Sequence, residues 1–292
     1  MASIESNLFY YLLRLINKKR FLEMQFAFGK FDFYESREPS AEVYKTCHVS
    51  KRRVGGHNVF TLSPKFQKSG KHILYLHGGA YVQGFVKQHW TFLCLIVARA
   101  NCTITAPAYP LAPLNTFLDA FDAVTPLYWE ILTDAGTENM IVMGDSAGGG
   151  FALALVQKMK SDGAEPPAKI ILLSPWLDIT LKNPDIAKID REDPFLGVSA
   201  LRKAGLAYAG NANPEQFMLS PINGPLEGLG QISVFAGSRD ILVADARKLN
   251  ELARQKGIAI NYREYPDMVH VWMLLNFRES KQAKEEIIQL IE

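Results

Sequence analysis

Cysteine is scarce in this chain: only Cys47, Cys94 and Cys102 occur in 292 residues. An odd number without metal-type spacing excludes a disulfide-stapled scaffold and a cysteine zinc site. Cys94 and Cys102 sit in apolar runs, so buried thiols in a reducing, cytoplasm-like compartment are expected. Charge of one sign is lacking too. The 32 basic and 30 acidic residues leave a net +2, which gives no electrostatic argument for nucleic acid or an acidic membrane surface. Lys51, Arg52 and Arg53 are too short a basic cluster to change that and read as a solvated loop. No apolar run approaches the roughly 18–20 residues that cross a bilayer, so no integral membrane segment is expected. The run Asn7 to Ile16 has Glu5 before it, Arg14 within it and Lys18-Lys19-Arg20 after it, the wrong charge order for a signal peptide. An amphipathic helix is the better reading. No Gly-rich Lys-Ser/Thr loop exists, and His48, His57, His72, His77 and His89 never stand four residues from another ligand in a metal-binding pattern. No metal and no cofactor are expected. There is no repeat, no low-complexity tract and no linker, so residues 1–292 read as one domain.

What is present is ordinary globular material, 48% hydrophobic and 21% charged, enough to bury a large core. Short β-like runs appear at Lys71 to Leu76, Cys102 to Ala106, Met140 to Met143, Lys169 to Leu173, Ile232 to Ala236 and Ile258 to Tyr265. The middle ones are apolar throughout, as parallel strands covered on both faces should be. Helical patterns fall between them at His89 to Arg99, Asn115 to Leu132, Ala147 to Met159 and Leu242 to Gln255, the last stopped by Gly257. A final helix spans Ser280 to Ile291. This alternation predicts an α/β fold, a doubly wound parallel sheet with helices on both faces. Almost 60 residues between Leu173 and Ile232 break the rhythm, with a helical piece at Val198 to Ala209. A long loop in a compact fold is usually functional. It is expected to form half of a cap, about 180–220, with the aromatic-rich helices of about 1–40 as the other half.

The segment Met140 to Gly150 carries the chemistry. Gly144-Asp145-Ser146-Ala147-Gly148 directly follows an apolar strand and directly precedes a helix, the context a G-x-S-x-G nucleophile elbow requires. Glycines on both sides remove Cβ atoms that a sharp strand-to-helix reversal would bring into collision. Ser146 is the candidate nucleophile, with the following helix N-terminus favouring negative charge. His77-Gly78-Gly79-Ala80 follows an earlier strand. The N–H groups of Gly78 and Gly79, with that of Ala147, are the expected oxyanion donors. A neutral hydroxyl needs a base and an orienting acid, which follow the serine in chain order acid then histidine. Every histidine except His270 precedes Ser146, so His270 is the candidate base. Asp240 ends a strand and opens a helix, the placement the acid needs. Asp245 and Asp267 are weaker candidates.

These residues resemble the hormone-sensitive-lipase-like branch of the α/β-hydrolase esterases. The resemblance rests on His77-Gly78-Gly79-Ala80-Tyr81, on Gly144 to Gly150 and on Ser174-Pro175-Trp176-Leu177-Asp178. Asp193-Pro194-Phe195, Gly237-Ser238-Arg239-Asp240 and His270 add to it, so that it runs from about residue 70 to 275. It implies an eight-stranded, mostly parallel sheet with a helical cap, a small-molecule acyl ester as substrate, no metal, and homodimerisation through an edge strand. Tyr81, Asp145 and Trp176 would lie at the substrate pocket. The chain departs from the family where a D-Y-R-L-A-P-E segment usually stands. It has Ala108-Tyr109-Pro110-Leu111-Ala112-Pro113-Leu114, without the three charged groups that normally brace the loops around the site. Ala80 stands where a third glycine is common, and Val269 where glycine often precedes the histidine. A carboxylic ester hydrolase for short- to medium-chain acyl groups is the expected function. An amidase or peptidase using the same residues, and a binding module that has lost catalysis, are the other readings.

Overall fold

The short apolar runs are the inner strands of one sheet, and their twofold side-chain alternation builds a core on each face of it. The computed structural model describes residues 2–66 and 69–292. Helices α1 (Ile4–Leu15), α2 (Phe21–Phe28) and α3 (Ala41–Thr46) lead into a hairpin of β1 (Cys47–Val54) and β2 (His57–Pro64). Then β3 (His72–Leu76), α4 (Lys87–Ala100), β4 (Thr103–Pro107), α5 (Phe117–Ala135), β5 (Met140–Asp145), α6 (Ala147–Ser161) and β6 (Lys169–Leu173) alternate. After α7 (Ile186–Ile189) and α8 (Val198–Ala209), the pattern resumes with β7 (Gln231–Gly237), α9 (Val243–Gln255), β8 (Ile260–Tyr265) and α10 (Arg278–Ile291).

The eight strands lie in the order β1-β2-β4-β3-β5-β6-β7-β8. Those from β4 to β8 pair in parallel, and β2 runs antiparallel to both β1 and β4. Along β5, Met140 and Val142 join the core under α5, α6 and α9, while Ile141 and Met143 join the opposite core with α4 and α10. Leu74 and Ile73 of β3, and Leu172 and Ile171 of β6, divide in the same way. Each such buried aliphatic side chain contributes about 1.5–3 kcal/mol.

The six expected strands and the later helices are present, with ends displaced by a few residues. Lys51, Arg52 and Arg53 are solvent-exposed, as expected, but they sit on strand β1 rather than in a loop. As an edge strand, β1 needs no apolar alternation, and its charges keep the edge from pairing with another chain. At the N-terminus, α1 buries Tyr10 and Leu13 but leaves Ile4, Leu8, Leu12 and Leu15 exposed.

The N-terminal segment and the long insertion meet. Lys19 pairs with Asp190 at 2.7 Å, and α2 packs on α8. The Lys18 ammonium lies 4.1, 5.6 and 5.3 Å from the rings of Phe21, Tyr34 and Phe195, a cation–π cage that ties both segments together.

Candidate active site

The reversal from β5 into α6 is as tight as the glycines suggest. Ser146 has φ 53° and ψ −122°, a strained conformation for a residue with a side chain. Surrounding bonds hold it there: the Ser146 N–H donates to the Leu173 carbonyl at 2.8 Å, and the Trp176 N–H donates to the Ser146 carbonyl at 2.9 Å. A Cβ at Gly148 would stand 2.0 Å from the Leu76 carbonyl oxygen, and one at Gly144 2.2 Å from that of Gly148. Only glycine lets the start of α6 approach β3 this closely.

The loops after β7 and β8 bring Asp240 and His270 to the serine. His270 Nε2 is 2.8 Å from Ser146 Oγ, and His270 Nδ1 is 2.7 Å from Asp240 Oδ2. Asp240 Oδ1 accepts the Leu242 N–H at 2.9 Å. Asp240 thus caps the entry to α9 with one oxygen and holds the histidine with the other. Ser146, Asp240 and His270 are 8%, 1% and 3% exposed, so all three interact with little screening by water. Burial alone lowers the proton affinity of His270. The Asp240 carboxylate outweighs it, with Asp193 and Asp145 adding to the effect, and holds the imidazole above its ordinary pKa of 6.5. The two other acid candidates lie elsewhere: Asp245 bonds to Asn183, and Asp267 pairs with Arg239.

One expected donor is already engaged. The Gly78 N–H donates to Asp145 Oδ1 at 2.9 Å, so it is not available to a substrate oxygen. The chain then turns through three consecutive positive φ values, 126° at Gly79, 53° at Ala80 and 62° at Tyr81. A Cβ at Gly79 would meet the Gln83 carbonyl at 2.3 Å. Among the described residues, the N–H groups of Gly79, Ala80 and Ala147 have no acceptor. The N–H groups of Gly79 and Ala147 are thus open as expected, and that of Ala80 is open where that of Gly78 is not. The sequence contained the signal, because the third position of the loop is glycine or a small residue for a backbone reason.

Asp145, expected at the substrate pocket, bonds beneath the loop to the Gly78 N–H. Strand alternation puts its side chain on the face of Ile141 and Met143, towards α4. There it accepts the Tyr75 hydroxyl at 2.6 Å, and His89 Nε2 lies 3.4 Å away. Burial would raise its pKa, but His89, the Tyr75 hydroxyl and the Gly78 N–H outweigh it and keep the carboxyl below its usual range. Neighbouring His77 is fully buried, and desolvation, aided by His89, lowers its pKa to about 3. Tyr81 and Trp176 form an aromatic wall behind the elbow. Tyr81 stacks on Tyr208 of α8 at 3.8 Å between centroids and lies 5.5 Å from Trp176.

The segment lacking the usual charged brace uses aromatic and backbone contacts instead. The Tyr109 ring stacks on His77 at 4.3 Å, its hydroxyl donates to the His77 carbonyl at 2.5 Å, and the Ala112 N–H donates to the Tyr81 carbonyl. Tyr75, His89 and Tyr109 act through these contacts and carry no motif of their own, which is why sequence reading passes over them.

Comparison with known proteins agrees with this architecture. Residues 73–274 match a family model described as alpha/beta hydrolase fold. An esterase of Acinetobacter venetianus is 30% identical over 222 residues, covering 74% of this chain and 73% of that one. An acetyl-hydrolase of Streptomyces hygroscopicus is 29% identical over 207 residues, covering 70% and 69%. A hormone-sensitive lipase from a metagenome library superposes with a TM-score of 0.85 at 26% identity, covering 99% of each chain. A second metagenomic homologue of hormone-sensitive lipase gives 0.85 at 27% identity, covering 99% and 98%. Among the described residues no helix is long and apolar enough to cross a membrane. The chain belongs to the alpha/beta hydrolase fold family, and within it to the serine hydrolases of esterase and lipase type that resemble hormone-sensitive lipase.

Proposed function

We propose that the protein hydrolyses carboxylic esters of short to medium acyl length, with Ser146 as nucleophile, His270 as general base and Asp240 as its orienting acid. The observation that carries this reading is the unbroken line Asp240–His270–Ser146, with contacts of 2.7 and 2.8 Å. In the first half-reaction Ser146 Oγ bonds to the acyl carbon while His270 Nε2 takes its proton. The ester C–O bond then breaks, and the alcohol leaves with that proton. Water, deprotonated in turn by His270, releases the acid from the acyl-enzyme and restores the serine. Asp240 stays ionised, fixes the tautomer with Nδ1 protonated and stabilises the transient imidazolium.

The oxyanion is received by the free N–H groups of Gly79, Ala80 and Ala147, each worth about 2.7–4 kcal/mol in the transition state. The N-terminus of α6 adds its dipole. The wall of Tyr81, Trp176 and Tyr208 limits the acyl side, and the name of the acetyl-hydrolase relative supports a short acyl group. Segments of about 1–40 and 180–220 form the cap, a reading supported by the Lys18 and Lys19 contacts between them. The buried thiols of Cys47, Cys94 and Cys102 fit a reducing, cytoplasm-like compartment. The edge of β8, which among the described residues pairs with β7 alone, is the surface through which a homodimer would form.

The test is hydrolysis of p-nitrophenyl esters from acetyl to palmitoyl by the wild type and by Ser146→Ala. Turnover of the short chains by the wild type alone is expected. A wild type inactive on every ester, or an active Ser146→Ala, contradicts the proposal.

A further inference from the structure

We propose that Asp193, in the insertion between β6 and β7, is a positioning residue that locks the loop carrying Asp240 and so sets the geometry of His270. The inference rests on the triad reading above. Asp193 is 3% exposed, and both its oxygens are used. Oδ1 accepts the N–H groups of Phe195 at 2.7 Å and Leu196 at 2.9 Å, closing a turn. Oδ2 accepts the N–H of Ile241 at 2.8 Å, across 48 residues of sequence. Ile241 directly follows Asp240, so this bond fixes the peptide from which the triad carboxylate projects. The Phe195 ring, set by the same carboxylate, lies 5.6 Å from the His270 ring. One side chain therefore fixes the histidine's partner and the ring packed against the histidine.

The chemistry of the contacts demands a carboxylate. All three partners are N–H donors, and an ionised carboxylate offers only acceptors. An amide in its place could keep Phe195 and Leu196 on its oxygen, but would set its NH2 group against the Ile241 N–H. Burial and the nearby Asp240 raise the Asp193 carboxyl above its ordinary value, and the three N–H bonds it accepts limit that rise. A carboxylate kept in this setting adds its charge to the field at His270, which is faced by Asp240, Asp193 and Asp145. Arg14, Lys19 and Arg191 line the same cavity as Asp193, and the Lys18 ammonium lies 5.3 Å from the Phe195 ring.

The test compares wild type with Asp193→Asn, which fills the same space and keeps two of the three bonds. Two rates are read: turnover of p-nitrophenyl butyrate, and labelling of Ser146 by a fluorophosphonate, which needs an activated serine but no ester preference. The expected result is KM within about twofold of wild type, with kcat and labelling rate both down about 10- to 100-fold, the scale of a misplaced catalytic group. The acid limb of kcat/KM is expected to move to lower pH, because one of the carboxylates facing His270 has been neutralised. A purely structural role would leave that limb in place. A variant within twofold of wild type in both rates, or an unmoved acid limb, overturns the proposal. If Asp193→Asn does not fold, Asp193→Ser is read in the same way, and failure of both to fold also overturns it, since Asp193 would then be a folding requirement. A wild type that labels at Ser146 but hydrolyses no ester defeats the esterase reading while labelling rates still judge Asp193.

Discussion

Replacing Asp240 with asparagine separates orientation from mere space-filling. Both oxygens of Asp240 are in use, Oδ2 on His270 Nδ1 and Oδ1 on the Leu242 N–H. An amide supplies one acceptor for these two donors. If its oxygen stays on Leu242, its NH2 group faces Nδ1, and the imidazole must carry its proton on Nε2. That nitrogen then cannot accept the proton of Ser146 Oγ, 2.8 Å away. If the amide turns over, the buried Leu242 N–H is left facing a donor, at a cost of about 1–3 kcal/mol. The first arrangement avoids that cost and is the one expected. The wrong tautomer in a serine triad lowers kcat by about 10⁴-fold, close to 5 kcal/mol of barrier. The assay is kcat for p-nitrophenyl butyrate at pH 8, with circular dichroism and a thermal melt to establish that the variant is folded. A folded Asp240→Asn enzyme retaining more than a tenth of wild-type kcat would refute the reasoning.

Because Asp240 holds His270 above its ordinary pKa and only the neutral imidazole can accept the serine proton, kcat/KM should fall as pH drops through a value above 6.5. A pH–rate profile with its acid midpoint at or below 6.5 contradicts this. Gly148→Ala places a Cβ 2.0 Å from the Leu76 carbonyl, with backbone on both sides and no flexible side chain to yield. Overpacking of this kind should cost about 3 kcal/mol or more, read as a fall of several degrees in Tm, and an unchanged melt would count against it. Tyr109→Phe keeps the stack on His77 but removes the hydroxyl from its carbonyl, so denaturant titration should show a loss of about 1–3 kcal/mol. No measurable loss would mean that the aromatic stack alone braces this loop.

Much of the fold is written in local pattern. The inner strands are apolar throughout because both faces are covered, and Gly257, with φ 69°, marks the stop of α9. The β1–β2 hairpin is harder to read, since His48-Val49-Ser50-Lys51-Arg52-Arg53 shows no buried face. Its signal lies in the Gly55-Gly56 turn, where φ is 56° and 85°, values that a tight hairpin turn requires. In the candidate site, the sequence could bring Ser146, Asp240 and His270 into one proposal because chain order and strand ends restrict where such groups can stand, and their side chains lie in contact. The positions of Gly78 and Asp145 differ from expectation for one reason. Sequence shows both beside the serine but not that they bond to each other, which removes the Gly78 N–H and turns Asp145 away from the substrate side. Asp193 belonged to a motif whose purpose becomes visible only when Ile241, 48 residues later, lies against it.

The central claim is that Ser146 forms a covalent acyl intermediate. Intact-protein mass spectrometry of enzyme quenched in acid during turnover of p-nitrophenyl butyrate tests it directly. The account predicts a species heavier by one butyryl group, located on the peptide containing Ser146 and absent in Ser146→Ala. Ester turnover with no such adduct, or an adduct on another residue, would contradict it.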